Sequence, residues 1–293
     1  MTFYDKALNR LQRLYLSTLD DETYARTKYR WRFGRELDLE RPRFFSEKIQ
    51  WLKLHDDNAG HGIYADKYGV RSVVAARLGE RVLNELNFVL DDPEDLTEEM
   101  LPGAFVLKAT HGSGFNLICP DRASFDLRSA KRTLKRWLST DYAARSRERQ
   151  YEAVPRRIVC EKYLSDGSGG LMDYKVLCCD GEPSALWVDV DRYAGHKRAF
   201  FSTRWEPIDV TFNKYPRYAG ALERPGNLEE MLALSRELAR GFPFARVDFY
   251  SLSGRTVFGE ITFHPASGFA EFSSLEFSAA LAELIPTSGG GAR

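Results

Sequence analysis

The sequence predicts an α+β fold, with a mostly helical first hundred residues followed by two strand-rich lobes. Three observations predict it. Apolar residues recur at helical spacing through much of the first hundred positions. Near residue 104 the pattern changes to short β-type runs. A glycine-rich stretch, Asp166-Gly167-Ser168-Gly169-Gly170, then divides those runs into two groups.

Taken in order, Ser46, Glu47, Lys48 and Ile49, followed by Leu52, read as a capped helix start. Asp66 to Leu78 is a second helical pattern, carrying Tyr68, Val70, Val73, Val74 and Leu78. Ala104 to Lys108 is a short strand that enters His111-Gly112-Ser113-Gly114. Phe115 to Cys119 is its partner run. Behind Asp126, Leu127, Ala130, Leu134, Trp137 and Leu138 recur as on a helix. Arg157 to Glu161 is the next strand. Tyr174 to Cys179 and Ala185 to Val190 flank Asp180-Gly181 as a hairpin, with Glu182-Pro183 expected to lengthen its loop. Adjacent Cys178 and Cys179 should then face opposite sides of the sheet. Asn227 reads as the cap of a helix through Met231, Leu234 and Leu238, ended by Gly241. Arg246 to Tyr250 and Thr256 to Phe263 form the last β pair across Ser253-Gly254. The expected division is 1–103 helical, 104–165 first lobe, 166–285 second lobe and 286–293 a flexible tail.

Composition narrows the class. The 293 residues carry 42 basic and 42 acidic side chains. With 38 aromatics, disorder is excluded as the main state. No apolar run approaches the roughly 20 residues of a spanning helix. The charged N-terminus does not read as a secretory signal. Cys119, Cys160, Cys178 and Cys179 lie in apolar runs without metal-ligand spacing, as reduced thiols of a cytoplasmic protein would. The balanced charge and absence of a nucleic-acid motif argue against nucleic acid as a partner. Locally, 128–157 holds ten Lys/Arg against three Asp/Glu. That excess suits either a solvated helix face or a polyanionic substrate.

Two constellations carry chemistry. At 104–119 a lysine, Lys108, precedes a glycine loop whose backbone could approach phosphate. It matches neither a P-loop nor a complete G-x-G-x-x-G, since Leu117 takes the third glycine position. A plain tight turn fits it equally. The second is Asp248 and Glu260 on the two strands of one hairpin, with Thr262 on the Glu260 face. A three-residue connection centred on Gly254 sets 248 opposite 260, whereas an even loop sets them on opposite faces. Converging hard oxygens suit Mg²⁺ bridging nucleotide phosphates. Two unrelated surface acids are the alternative, but Val247, Phe249, Phe258, Ile261 and Phe263 argue for a half-buried hairpin. His111 and His264 are lesser candidates, and Asp173 with Lys175 on one strand face could be a structural ion pair.

Eight blocks together resemble the ATP-grasp superfamily, in its TupA-like branch, named for teichuronopeptide biosynthesis. They are FSEKIQWLKLHD at 45–56, ADKYGVRSVV at 65–74, FVLKATHGSGFNLI at 105–118 and RIVCEKYL at 157–164. DYKVLCCDG at 173–181, DRYAGHKRAFF at 191–201, GFPFARVDFYSLSG at 241–254 and FGEITFHPASGF at 258–269 complete them. The resemblance implies two α+β lobes clamping ATP, preceded by the helical region. It makes Lys108 the nucleotide-phosphate lysine and His111, Gly112, Ser113 and Gly114 a flap over the phosphates. Glu161, Lys162, Tyr163 and Leu164 match the adenine hinge. Lys175 and Arg246 match catalytic cations near the transferred phosphate. Asp248 and Glu260 match magnesium carboxylates, while Thr262 departs from the asparagine usual at its position. Lys67, Arg71, His264 and Ser267 are candidate substrate contacts.

The implied activity is ATP- and Mg²⁺-dependent joining of a carboxylate to an amine through an acyl phosphate, in cell-surface polysaccharide or peptide biosynthesis. The partners implied are a small-molecule or glycan carboxylate, an amine, and a membrane-bound biosynthetic assembly. A polyanionic acceptor would use the 128–157 stretch, through Arg145, Arg147 and Arg149. A kinase acting on a sugar or other hydroxyl, or a non-catalytic nucleotide-binding module, are the competing readings.

Overall fold

The computed structural model describes residues 11–12, 14–56, 58–166, 171–190 and 195–287. The glycine-rich divider beyond Asp166 and all of the tail but 286–287 lie outside the described residues, as do 191–194 of the sixth block.

Two antiparallel sheets organise the chain. The first has the order β1-β4-β2-β3, where β1 is Leu86–Leu90, β2 Phe105–Ala109, β3 Asn116–Cys119 and β4 Ile158–Lys162. The second has the order β10-β9-β5-β6-β7-β8. Its strands are β5 Asp173–Cys179, β6 Glu182–Val190, β7 Lys197–Ser202, β8 Pro207–Ile208, β9 Phe244–Leu252 and β10 Arg255–Thr262. Strand β1 falls inside the region read as mostly helical. It pairs with β4 and completes the first sheet.

Alternation along each strand decides which face is core and which is site. Phe105, Leu107 and Ala109 of β2 point to the helix Leu127–Leu138 and pack with its Leu134 and Trp137. That helix starts at Asp126, whose carboxylate accepts from the Ser129 N–H at 2.9 Å, as its sequence predicts. Val106 and Lys108 therefore turn to the opposite face. In the second sheet, Tyr174, Val176, Cys178, Leu186 and Val188 pack against the helix Leu228–Ala239. Leu177, Cys179, Trp187 and Phe200 lie on the other side, over Phe45, Ile49 and Leu52 of the helix Phe45–His55. Cys178 and Cys179 thus face opposite cores, as expected, and all four cysteines are free and buried.

Two helix starts differ from expectation. Phe44, not Ser46, is the N-cap of Phe45–His55, and the Glu47 carboxylate accepts from the Arg43 and Phe44 N–H groups. Asn227 makes no capping bond. Its side chain instead donates to Thr256 Oγ1 and accepts from Ser251 Oγ, tying the helix start to β9 and β10.

The β5–β6 and β9–β10 hairpins each turn in two residues and correct the register with a bulge. In the first, Asp180 and Gly181 have φ of 49° and 78°, the pattern of a type I′ turn. Glu182-Pro183 does not lengthen the loop, because the ladder shifts between Leu177 and Cys178 instead. In the second, Ser253 and Gly254 have φ of 49° and 81°, and Leu252 pairs with Arg255. An even loop of this kind should separate Asp248 from Glu260. A bulge at Gly259 inserts the extra residue, and Glu260 pairs with Asp248 after all. A Cβ at Gly259 would meet the Asp248 carbonyl oxygen at 3.1 Å, on backbone held by β5. Gly259→Ala is expected to destabilise the fold by about 1–3 kcal/mol, read as a lowered urea midpoint.

Candidate active site

The strand register gathers the charged residues on one face of the second sheet. Asp173 lies beside Asp189, Lys175 is flanked by Trp187 and Asp248, Asp189 faces Arg198, and Asp248 faces Glu260. Period-two alternation adds Arg246 and Thr262 to the same side.

Asp248 is the hub, only 2% exposed. It accepts from Lys175 Nζ and, through both oxygens at 2.7 Å, from Arg246 Nε and Nη2. Lys175 also meets Asp173 at 2.8 Å and lies 3.9 Å from Asp189. The Asp173–Lys175 pair foreseen from the strand is therefore real, but it is one edge of a larger network. Burial alone would depress the Lys175 amine, yet Asp173 and Asp248 outweigh it and hold the amine above the ordinary lysine range. Arg246 is likewise held up by Asp248 and Glu260 against its burial. Burial pushes the Asp248 carboxyl up despite its two cations. Lys175 and Arg246 are therefore fixed positive charges aimed at one spot.

The donor set fits a divalent cation. Arg246 Nη2 lies 2.7 Å from Asp248 Oδ2, 3.1 Å from Glu260 Oε1 and 2.9 Å from Thr262 Oγ1. Three hard oxygens thus converge on a point that a positively charged nitrogen now fills. Magnesium prefers oxygen ligands of this type. Asp248, Glu260 and Thr262 would hold it once the guanidinium turned aside.

A cavity of about 370 Å³ adjoins this face. Val106, Lys108 and Ile118 line it from the first sheet, Glu161 to Ser165 from the end of β4, and His196, Tyr215 and Tyr250 from the second sheet. Lys108 Nζ donates to Glu161 Oε2 at 2.6 Å, and Arg71 lies 3.7 Å from the same carboxylate. Burial would raise the Glu161 carboxyl, but Lys108 and Arg71 hold it below the usual range. The Lys162 N–H is given to the Glu85 carbonyl, and its own carbonyl accepts from Asn84. Tyr163 and Leu164 follow along the cavity wall.

The flap residues divide. Gly114 borders the cavity. Gly112 is pressed on the Tyr142 ring, where a Cβ would come within 2.7 Å. Its carbonyl accepts from Lys67 Nζ at 2.6 Å. Ser113 faces Tyr142. His111 does not line the cavity. It is 2% exposed, stands against Phe115, and its Nε2 donates to the Trp137 carbonyl at 3.1 Å. Its role is to pin the loop to the first core.

The substrate candidates are mostly supports. Arg71 braces Glu161 and donates to the Asn84 carbonyl at 2.8 Å. Lys67 holds the Gly112 loop while its charge sits among those of Glu260, Lys108 and Glu161. His264 is 3% exposed, accepts from Gln150 at 3.2 Å and is kept neutral by burial. Ser267 exchanges contacts with Lys53 at 2.8 Å and donates to the Ser146 carbonyl. Burial lowers Lys53 to about 8. Between that value and about 10.4 the unfolded chain keeps a proton the folded chain has released, so stability rises with pH across this window. Relative to Lys53→Met, the wild-type protein is expected to gain on the order of 2 kcal/mol between the two ends. Urea melts near each end would measure it.

No residue of the basic stretch 128–157 lines the cavity. Its helix packs on the face of the first sheet opposite Lys108. Lys131 and Lys135 pair with Glu94, Arg147 with Asp21, and Arg157 with Asp91. Part of the local charge is thus matched by distant acids.

Sequence reasoning missed Asp189, Arg198 and His196. Arg198 Nε meets Asp189 Oδ1 at 2.6 Å, and His196 Nε2 lies 2.9 Å from the same atom. The Arg198 guanidinium is sandwiched between Trp187 and Tyr215. The only local signal was the alternation of Trp187 and Asp189 in one strand; their partners lie on or next to the neighbouring strand β7.

The family model for the TupA-like ATP-grasp proteins matches residues 47–286. Among solved structures, the chain is similar to the D-alanine–D-alanine ligase of Bacillus anthracis complexed with ATP (17% identity, TM-score 0.44, covering 78% of this chain and 65% of that one). The corresponding enzyme of Helicobacter pylori is similar at 16% identity and TM-score 0.41, covering 76% and 62%. The L-amino acid ligase of Bacillus licheniformis follows at 16% and 0.39, covering 72% and 43%. The chain therefore spans less than two thirds of the length of each of these three proteins. No curated protein matches the sequence.

Proposed function

The chain belongs to the TupA-like ATP-grasp family, and from that premise we propose an ATP- and Mg²⁺-dependent ligase that joins a carboxylate to an amine through an acyl phosphate. The observation that carries this reading is the convergence of Lys175, Arg246, Asp248, Glu260 and Thr262 on one sheet face beside a cavity lined by Lys108. The first lobe, 104–165, supplies the flap and the hinge. The second, 166–285, supplies the metal-binding hairpin.

Mg²⁺ bound by Asp248, Glu260 and Thr262 would neutralise charge on the nucleotide phosphates. Lys108 binds the phosphates from the opposite wall. Lys175 and Arg246 stabilise charge that grows on the transferring phosphoryl group, and their fixed protonation keeps them available for it. The substrate carboxylate oxygen forms a bond to the γ-phosphorus as the bond to the ADP oxygen breaks. The amine then attacks the acyl carbon, loses a proton and expels inorganic phosphate. The Gly112–Gly114 flap, held by Lys67, shields the acyl phosphate from water.

The branch's link to surface polymers makes uronic acids and peptide precursors the first carboxylates to try, with amino acids as the amines. A reaction fed by ATP, in a protein with four free thiols, belongs in the cytoplasm. No described helix is long and apolar enough to cross a membrane. The test is nucleotide release from Mg·ATP against carboxylate–amine pairs, with products weighed by mass spectrometry. ADP, phosphate and a mass-matched amide are expected. ADP with a phosphorylated alcohol would make the protein a kinase, and nucleotide binding without turnover across the panel would make it a binding module.

A further inference from the structure

The proposed reaction leaves one proton without an acceptor. An amine is largely protonated at neutral pH, since an α-amino group titrates at about 8 and an alkyl ammonium at about 10. It must lose a proton before its nitrogen can attack an acyl carbon, so a base has to stand close to the phosphoryl cations. The carboxylates there are already engaged. Asp248 and Glu260 are assigned to the metal, Asp173 is paired with Lys175, and Glu161 with Lys108. The chain has five histidines. His55 stacks on Trp51 and His61 on Phe263, His111 is bonded to the Trp137 carbonyl, and His264 to Gln150. None of these four lines the cavity, whereas His196 does.

The surroundings of His196 suit that task. Its Nε2 lies 2.9 Å from Asp189 Oδ1. Asp189 is 1% exposed, and its other oxygen is 3.9 Å from Lys175 Nζ. One buried carboxylate thus separates the imidazole from a cation assigned to the transferring phosphoryl group. Tyr215 leans on the imidazole, ring centroids 4.2 Å apart, and also carries the Arg198 guanidinium that binds Asp189. The anionic oxygen favours the N–H on Nε2, which leaves the lone pair on Nδ1. Nδ1 has no hydrogen-bond partner among the described residues.

We propose that His196 is the general base of the amine step, oriented by Asp189; this rests on the carboxylate–amine ligase reading of the same site. One proton of the substrate ammonium passes to Nδ1. The freed lone pair forms the bond from nitrogen to the acyl carbon. The bond from that carbon to the phosphate oxygen breaks, with its electron pair on phosphate. The proton that the new amide nitrogen must shed leaves with the phosphate, and His196 returns its own to solvent. No oxidant or further co-reactant is needed.

Hydroxylamine separates this step from the one before it. It is already unprotonated at neutral pH, so it traps an acyl phosphate as a hydroxamate without help from a base. The full chain is given Mg·ATP and glucuronate or alanine as the carboxylate, with glycine or hydroxylamine as the amine. In His196→Gln, hydroxamate should form at close to the wild-type rate, while amide formation falls by about 10²–10⁴-fold. Melting temperature should be kept, which separates this loss from a loss of fold. Free imidazole should restore part of the amide rate to His196→Ala. Hydroxamate and amide falling together would assign His196 to the fold or to phosphoryl transfer and overturn the proposal. So would amide formation that survives the substitution. Neither product from the wild-type chain would overturn the ligase reading itself, and this proposal with it.

Discussion

Asp248→Asn is expected to abolish nucleotide turnover, by three orders of magnitude or thereabouts, while the folded protein still binds ATP. Three facts set the size of the effect. Asp248 is buried, it is held by both Lys175 and Arg246, and it faces Glu260 across the hairpin. An amide keeps the shape but removes one of the two charges that would hold the metal. It also leaves two buried cations with less compensation, and breaking such a pair costs about 3–5 kcal/mol. Turnover and melting should therefore fall together. Nucleotide affinity measured without metal should change little, because Lys108 and the hinge lie on the far wall of the cavity.

Lys175→Met should have the second largest effect, and a control can divide it. The amine lies between Asp173 and Asp248 with 5% of the residue exposed. Its removal deprives two buried carboxylates of a cation, so a loss of about 3–5 kcal/mol is expected. Loss of a charge aimed at the phosphoryl group should lower kcat by about 10²–10³. Adding Asp173→Asn removes one of the stranded charges. The double variant should recover part of the melting temperature and none of the turnover. Recovery of both would make Lys175 a structural residue only.

The candidate site residues were legible in the sequence for different reasons. Asp248 and Glu260 stand on strands whose apolar neighbours reveal the sheet, and Lys108 precedes a glycine loop. Local patterns of that kind survive folding unchanged. Their exact pairing was legible only in outcome. The sequence reading needed a three-residue loop, whereas the chain uses a two-residue turn and a bulge at Gly259. Parity of a loop says nothing about a bulge further along the strand, so two local features had to be known together.

What stayed hidden was non-local. Strand β1 interrupts its apolar run with Asn87, and only pairing with β4 makes it a strand. Asp189 of β6 meets Arg198 of β7 and His196 beside it. The inward turn of His111 depends on the carbonyl of Trp137, 26 residues away in sequence. The pairing of Lys131, Lys135, Arg147 and Arg157 was not legible in the charge of 128–157, because Glu94, Asp21 and Asp91 are remote in the chain.

An acyl phosphate leaves an isotopic trace in the released phosphate. The carboxylate that supports turnover would be labelled with ¹⁸O and the released inorganic phosphate weighed. One carboxylate oxygen should appear in the phosphate for each amide formed, and none should appear with Asp248→Asn. Amide formed with unlabelled phosphate, or label retained wholly in the product, would contradict activation of the carboxylate by phosphorylation.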